Sequence, residues 1–127
     1  VPTFIRWPGR IQEGSVCHEL IDFSDFLPTF NEILDQPLPD YEIDGQSFAG
    51  ILTGQEYDTR DWVYSEKAGM MYMVRSEEWK LLPDGKLFDM RSDTHEENPI
   101  LESADTPASA KARVTLDSIM TELRGSR

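Results

Sequence analysis

Residues 62–90 read WVYSEKAGMMYMVRSEEWKLLPDGKLFDM, and the punctuation of this run decides the fold. Four segments of strand length fall within it, Trp62–Ser65, Met70–Arg75, Glu78–Leu82 and Lys86–Met90, rich in aromatic and other apolar residues. Asp84-Gly85 lies between the last two. Such a pair accepts φ > 0 at both central positions of a tight turn, the strongest short hairpin signal there is. Lys67-Ala68-Gly69 supplies another turn. The run predicts an antiparallel meander.

Toward the C-terminus, Arg91 to Pro107 is polar loop, rich in Asp, Glu, Asn, Thr and Pro. From Ala108 to Leu123, Ala112, Leu116, Ile119, Met120 and Leu123 form one stripe, which predicts an amphipathic helix ended by Gly125. Toward the N-terminus, Phe48–Leu52 is a short apolar piece ending at Gly54, preceded by a linker-like stretch from Pro37 to Gly45. Ile21–Leu34 carries Phe23, Phe26, Leu27, Phe30, Ile33 and Leu34 at helical spacing. Ser24 or Asp25 can cap that helix, Pro28 falls near its first turn, and Gln36-Pro37-Leu38-Pro39-Asp40 stops it. Val1–Trp7 is a β-branched and aromatic run closed by Pro8-Gly9, read as a strand and a turn. Phe4, Ile5 and Trp7 do not alternate, so both faces of that strand are expected to be covered, as in an α/β sheet.

A strand with one helix is not a closed unit, because a single strand cannot satisfy its own ladder. Residues 1–54 therefore read as the end of a larger α/β domain. Residues 55–127 read as a small α+β subdomain, an antiparallel four-stranded sheet with a packed C-terminal helix. An exposed N-terminal strand would also be a sticky edge, through which the chain could oligomerise.

The chain has 127 residues, 39% hydrophobic and 28% charged, enough for a core and against wholesale disorder. Twenty-four acidic against twelve basic residues give a formal net charge of −12. That field repels phosphate backbones and anionic lipid, which argues against nucleic acid or a membrane surface as partner. No apolar run approaches the roughly 18 residues that span a bilayer. Cys17 is the single cysteine and has no internal disulfide partner. The chain starts at Val1 with neither an initiator Met nor a signal-peptide pattern, which reads as a processed or cut start.

The candidate chemical constellations each fail a specific test. Asp40-Tyr41-Glu42-Ile43-Asp44-Gly45 opens like an EF-hand loop, but the third position is Glu and the twelfth is Ile51. Pro37 and Pro39 also stand where the entering helix would run, so a solvated acidic turn is expected. Gly45-Gln46-Ser47-Phe48-Ala49 is one residue off a nucleophile elbow and lacks the buried strand and long helix around it. Ser47 reads better as a helix cap. The two histidines, His18 and His95, are expected to be exposed. Cys17 and His18 point to opposite faces of an extended segment, so a half-buried structural thiol is expected rather than a nucleophile pair. There is no zinc spacing, no glycine-rich phosphate loop and no paired carboxylate dyad. No catalytic and no metal-ligating residue is assigned.

Several segments in order resemble the C-terminal part of a type I, formylglycine-dependent sulfatase of the alkaline phosphatase-like superfamily. Val1-Pro2, Arg6-Trp7-Pro8-Gly9, Ile11 and Gly14 resemble the family's V-P-x-x-x-R-W-P-G-x-I-x-x-G stretch. Asp25-Phe26-Leu27-Pro28-Thr29 resembles its D-x-x-P-T helix start. Asp44-Gly45-Gln46-Ser47, with Leu52 and Gly54, resembles D-G-x-S…L-x-G. Val74-Arg75 with Trp79-Lys80-Leu81 resembles V-R-x-x-x-[YW]-K-L. Leu87-Phe88-Asp89-Met90, Asp93, Glu96 or Glu97, and Asn98 resemble L-Y-D-L…D-P-x-E…N-L, with Thr94 in place of the usual Pro.

The resemblance implies a strand–helix piece of the sulfatase catalytic domain followed by its C-terminal subdomain. It implies that the rest of that domain is the partner, that a sulfated substrate binds the complete enzyme, and that calcium is needed there. The family's nucleophile comes from C-x-P-x-R, whereas Cys17 is followed by His18-Glu19-Leu20-Ile21, so this role does not carry over. The chain alone is expected to be inert. Glu66 and Lys67, at the tip between the first two strands, are the candidate contacts to the substrate-pocket rim, against an ordinary surface charge pair. An exported, periplasmic or lysosomal location follows by resemblance only. The alternatives are a piece of a phosphonate or phosphate ester hydrolase of the same superfamily, and a stand-alone binding module.

Overall fold

The computed structural model describes residues 3–55, 57, 58, 60–67 and 71–125. Val1-Pro2, Ala68-Gly69 of the expected turn, and Met70 lie outside them. The chain divides into two compact units, Val1–Arg60 and Asp61–Arg127. Among the described residues no helix is long and apolar enough to cross a membrane.

In the second unit the meander is present as expected. Strands β1 (Val63–Lys67), β2 (Met71–Arg75), β3 (Trp79–Leu81) and β4 (Leu87–Asp89) form one sheet in sequence order, every pair antiparallel. Helix α3 (Pro107–Gly125) packs on β2 and β3. The register stacks Tyr64, Val74, Leu81 and Leu87 on one face. Strand side chains alternate, so this face meets the Leu116 and Met120 stripe of α3, and Trp62, Tyr72, Trp79, Ile100 and Ile119 close around it. Val74 and Leu87 are fully buried. At the start of α3, Thr106 Oγ1 accepts from the Ser109 amide at 3.2 Å and Ser109 Oγ accepts from the Thr106 amide at 2.8 Å, a reciprocal cap.

The Asp84-Gly85 turn forms in a different register from the expected one. Gly85 has φ +81°, but Asp84 is not in the left-handed region. The Gly85 amide bonds to Leu82 O at 3.0 Å, so the tight turn is centred on Pro83-Asp84. Pro83 locks its own φ negative and takes the first corner, which leaves Gly85 as the left-handed residue that follows. Between β2 and β3 the three-residue link Ser76-Glu77-Glu78 lacks a Gly or Asn, and Ser76 compensates: its Oγ accepts from the Trp79 amide at 3.1 Å.

Arg113 ties this unit together. Its guanidinium holds Asp105 from two sides, at 2.8 and 3.1 Å, donates to Ile100 O at 2.9 Å, and reaches Gly85 O. Helix α3, the β3–β4 turn and the Ile100 bridge to Leu87 thus meet on one cation. The Arg91–Pro107 loop is organised by Asp93, whose two oxygens accept from the Glu97 and Asn98 amides at 3.0 and 2.8 Å. Glu96 takes φ +61° within it.

In the first unit, a 3-10 turn (Phe23–Asp25) leads into α1 (Phe26–Ile33), and α2 (Ala49–Thr53) follows. Pro28 sits in the first turn of α1. The cap belongs to the 3-10 turn rather than to α1: Asp22 accepts from the Ser24 amide at 2.9 Å and Asp25 completes the capping box by accepting from the Asp22 amide at 2.6 Å, while neither Ser24 nor Asp25 makes a side-chain cap to α1 itself. Residues 3–7 form no strand. No described segment pairs with them, and a ladder needs a partner. Pro8-Gly9 does make the expected turn, with Gly9 at φ +78° and the Arg10 amide bonded to Trp7 O at 3.1 Å.

Two outcomes are expected for the second unit. Leu87→Ala should cost about 2–5 kcal/mol in urea denaturation, because the site is closed on every side; a cost near zero would contradict the core assigned here. Arg113 hydrogen bonds hold the Asp105 carboxyl below the usual carboxylate range. Its folded pKa is lower than its unfolded one, so its stabilisation is whole above about pH 5 and is lost as pH falls through the lowered value. Asp105→Asn should flatten the acid limb of stability against pH, and an unchanged limb would refute the tie.

Candidate functional site

The most tightly built polar site lies in the first unit and starts from a composition imbalance. Between residues 11 and 60 there are eleven carboxylates and one basic residue, Arg60. Asp25 is 2% exposed, and a buried carboxylate is stable only when paired and hydrogen-bonded. Arg60 meets it with both ends of its fork, Nε to Oδ2 at 3.1 Å and Nη2 to Oδ1. The Asp22 amide donates to Oδ2 at 2.6 Å and the Gln46 amide to Oδ1 at 2.7 Å. Arg60 Nη2 also donates to Asp44 O at 3.1 Å. Both oxygens of Asp25 are therefore engaged.

Thr29 extends the same tie one helical turn on. Its hydroxyl donates to Asp25 O at 2.6 Å and accepts from the Phe48 amide at 3.0 Å, with the residue 1% exposed. Asp25 and Thr29, four apart on one face, thus hold alternate amides of the Gln46–Phe48 segment. Gly45 enters this contact so closely that a Cβ there would lie 2.1 Å from Ser24 O and 3.1 Å from Pro28 Cγ. Ser47 Oγ accepts from the Ala49 amide at 3.2 Å, but Ser47 stands one position ahead of the N-cap of α2, Phe48, and that helix has no side-chain cap, a correction to the cap expected of Ser47. Phe48 closes the site from below, 5.3 Å edge-on to Phe26.

This site is architectural. The cavity beside it, lined by Glu19, Ile21, Asp58 and Arg60 among others, has about 10 Å³, room for roughly one water and no substrate. Among the described residues no group of three or more His, Cys, Asp or Glu side chains could hold a metal ion. Asp40, Glu42 and Asp44 are exposed on irregular chain and Ile51 lies within α2, so the stretch that opens like an EF-hand loop runs into a helix before its twelfth position.

The other candidates fall as follows. Cys17 is exposed, a correction to the half-buried thiol expected, since nothing in its irregular segment covers it. His18 and His95 are both exposed, as expected. Glu66 and Lys67, both exposed, end β1 opposite Tyr72 and Met71, and Glu66 accepts from the Tyr64 hydroxyl at 2.6 Å. Arg60 was invisible to motif reading; the signal available was its being the sole cation in a long acidic stretch.

Thr29→Val keeps shape and removes the acceptor, leaving the Phe48 amide buried and unpaired, so it should cost about 1–3 kcal/mol. Asp25→Ala strands a half-buried guanidinium and should cost about 3–5 kcal/mol. Chemical denaturation checks both, and a Thr29→Val cost larger than that of Asp25→Ala would contradict the assigned order.

Comparison with known proteins agrees with this geometry. A family model described as N-sulphoglucosamine sulphohydrolase, C-terminal, matches residues 1–125. The chain is 41% identical over 64 residues to the ulvan-active sulfatase of Formosa agariphila, covering 50% of this chain and 13% of that protein. It is 31% identical over 84 residues to arylsulfatase A of Homo sapiens, covering 62% and 16%. A solved structure in complex with its substrate D-glucosamine-2-N,6-O-disulfate matches with a TM-score of 0.66 at 22% identity, over 92% of this chain and 27% of that one. That last likeness is one of fold. The chain spans less than a third of each of these proteins. With the family model covering nearly its whole length, this chain belongs to the N-sulphoglucosamine sulphohydrolase C-terminal family and is a C-terminal sulfatase domain.

Proposed function

We propose that this chain completes a sulfuric ester hydrolase without carrying its chemistry. Residues 1–54 would finish the catalytic α/β domain, and residues 55–127 would form the subdomain that walls one side of the substrate pocket. The observation that carries this reading is the Asp25–Thr29 tie to Gln46–Phe48: two motif segments of the resemblance are joined through buried polar groups whose only product is a fixed backbone. The family match supports it, and so does the sequence after Cys17, which lacks the Pro and Arg that the formylglycine precursor motif requires. The missing nucleophile and calcium site belong to the remainder of the enzyme. Transition-state stabilisation in such an enzyme needs a nucleophile and a charge clamp aimed at the sulfuryl group, and in this reading both come from the rest of the polypeptide.

The relatives named as N-acetylgalactosamine-6-O-sulfatase and as a complex with a glucosamine disulfate make a sulfated sugar the substrate class to test first. Glu66 and Lys67 are the proposed rim contacts. Both are exposed at the end of the edge strand β1.

Two measurements test the proposal. The purified chain should release no sulfate from an aryl sulfate or from glucosamine 6-sulfate above buffer; turnover would overturn its supporting role. In the complete enzyme, combined Glu66→Ala and Lys67→Ala should raise KM for a sulfated sugar by about threefold to tenfold with kcat little changed, the pattern of lost uniform binding. Unaltered KM across substrates would remove the rim.

A further inference from the structure

Side chains alternate along a strand, so the sheet has a second face, opposite the one that α3 covers. By the register it carries Val63, Ser65 and Lys67 of β1, Met71, Met73 and Arg75 of β2, Lys80 of β3 and Phe88 of β4. Three of these eight strand residues are cations and none is a carboxylate, since Glu66 and Asp89 fall on the α3 side. In a chain of net charge −12 this is a local reversal of sign.

Within that face Arg75 and Lys80 stand directly opposite each other, in one row with Val63 and Phe88, which are 8% and 3% exposed. Like charges at opposed positions destabilise a sheet. Lys80 is compensated: its Nζ donates to Glu96 Oε1 at 2.7 Å. Arg75 has no such relief. Its Nε is buried, and among the described residues it meets no acceptor. A desolvated donor costs stability until an acceptor arrives, and the low local dielectric then strengthens the bond. The guanidinium is a planar, permanently charged fork, the side chain best suited to hold an oxyanion.

We propose that Arg75 binds an anionic group of the substrate other than the sulfate that is cleaved, and so selects sugars that carry more than one such group; this rests on the sulfatase reading above. A sugar with a second sulfate or a carboxylate keeps one oxyanion after the scissile one is placed, and that group matches the Arg75 fork in charge. Continuity with the proposed rim selects the substrate over a protein carboxylate. Lys67 lies on the same face, opposite Met71, and Arg75 follows four residues later on β2, about 13 Å along the strands. Ser65 and Met71, both exposed, lie along the strip between the two cations.

The test uses the complete polypeptide and two substrates that differ by one anion, glucosamine 2-N,6-O-disulfate and glucosamine 6-sulfate. Arg75→Gln should raise KM for the disulfate by about tenfold to a hundredfold, and for the monosulfate by less than about threefold, with kcat held for both. Arg75→Lys keeps the charge and loses the fork, so its KM for the disulfate should fall between those of the parent and Arg75→Gln. That variant carries the test if Arg75→Gln does not fold. Raising salt should narrow the parent's preference for the disulfate. Equal KM rises for both substrates, a fall in kcat for both, or a lowered melting temperature with KM unmoved would assign Arg75 to a protein carboxylate and overturn the proposal. A parent that cleaves the disulfate alone supports it if Arg75→Gln raises that KM at constant kcat, and contradicts it otherwise. The sulfatase reading is scored separately, by sulfate release from the parent: release with KM values indifferent to Arg75 refutes the anion seat alone, and no release from either sugar refutes both.

Discussion

A carboxylate buried as deeply as Asp25 is costly, and the first unit is arranged to meet that cost. Arg60 arrives from 35 positions downstream, and two backbone amides fill the remaining lone pairs. Each partner is drawn from a different segment: the turn before α1, the approach to α2, and the chain leaving the unit. Removing the carboxylate therefore releases three strands of irregular chain together, with no sheet to hold them. This unit has only short helices, so hydrogen bonds to charge take over the positioning that a larger apolar core would otherwise provide.

The second unit solves the same problem with a different balance. Its sheet and helix enclose a continuous apolar layer from Tyr64 through Leu87 to Met120, and polar ties are added at the margins. Arg113 gathers the loop, the turn and α3, and Asp93 folds the loop on itself through backbone amides. In both units an arginine paired with an aspartate ties distant segments: Arg60 meets Asp25 across 35 positions, and Arg113, paired with Asp105 eight positions away, also reaches Gly85 O across 28.

The meander and α3 were legible because local signals agree with the tertiary outcome. Strand-length apolar segments, an Asp-Gly pair and a single helical stripe all point the same way. The turn slipped by one residue because the hairpin rule looks at Asp84-Gly85 and neglects Pro83, whose ring dictates φ before the glycine is reached. The expected strand at Val1–Trp7 carries the composition of a covered strand, yet residues 3–7 find no ladder here; composition records what a segment is suited to, and pairing needs a neighbour. The Asp25 site was legible only in outline. Motif resemblance flagged Asp25, Thr29 and Gly45, but their bonding to each other and to Arg60 is a long-range property that no local period encodes.

The functional conclusion follows from this division of labour. The motif residues present in the chain fix backbone, and the sequence around Cys17 lacks the elements of the family's nucleophile. The central claim is that the chain works as the closing portion of a larger sulfatase. The most direct test is the mass of the natural product in its source, measured by immunoblot with antibody raised against this chain. The account predicts a band several-fold larger than 14.6 kDa, encoding a C-x-P-x-R motif upstream. A sole band at 14.6 kDa would contradict it, leaving the sulfatase relationship as ancestry without the enzyme.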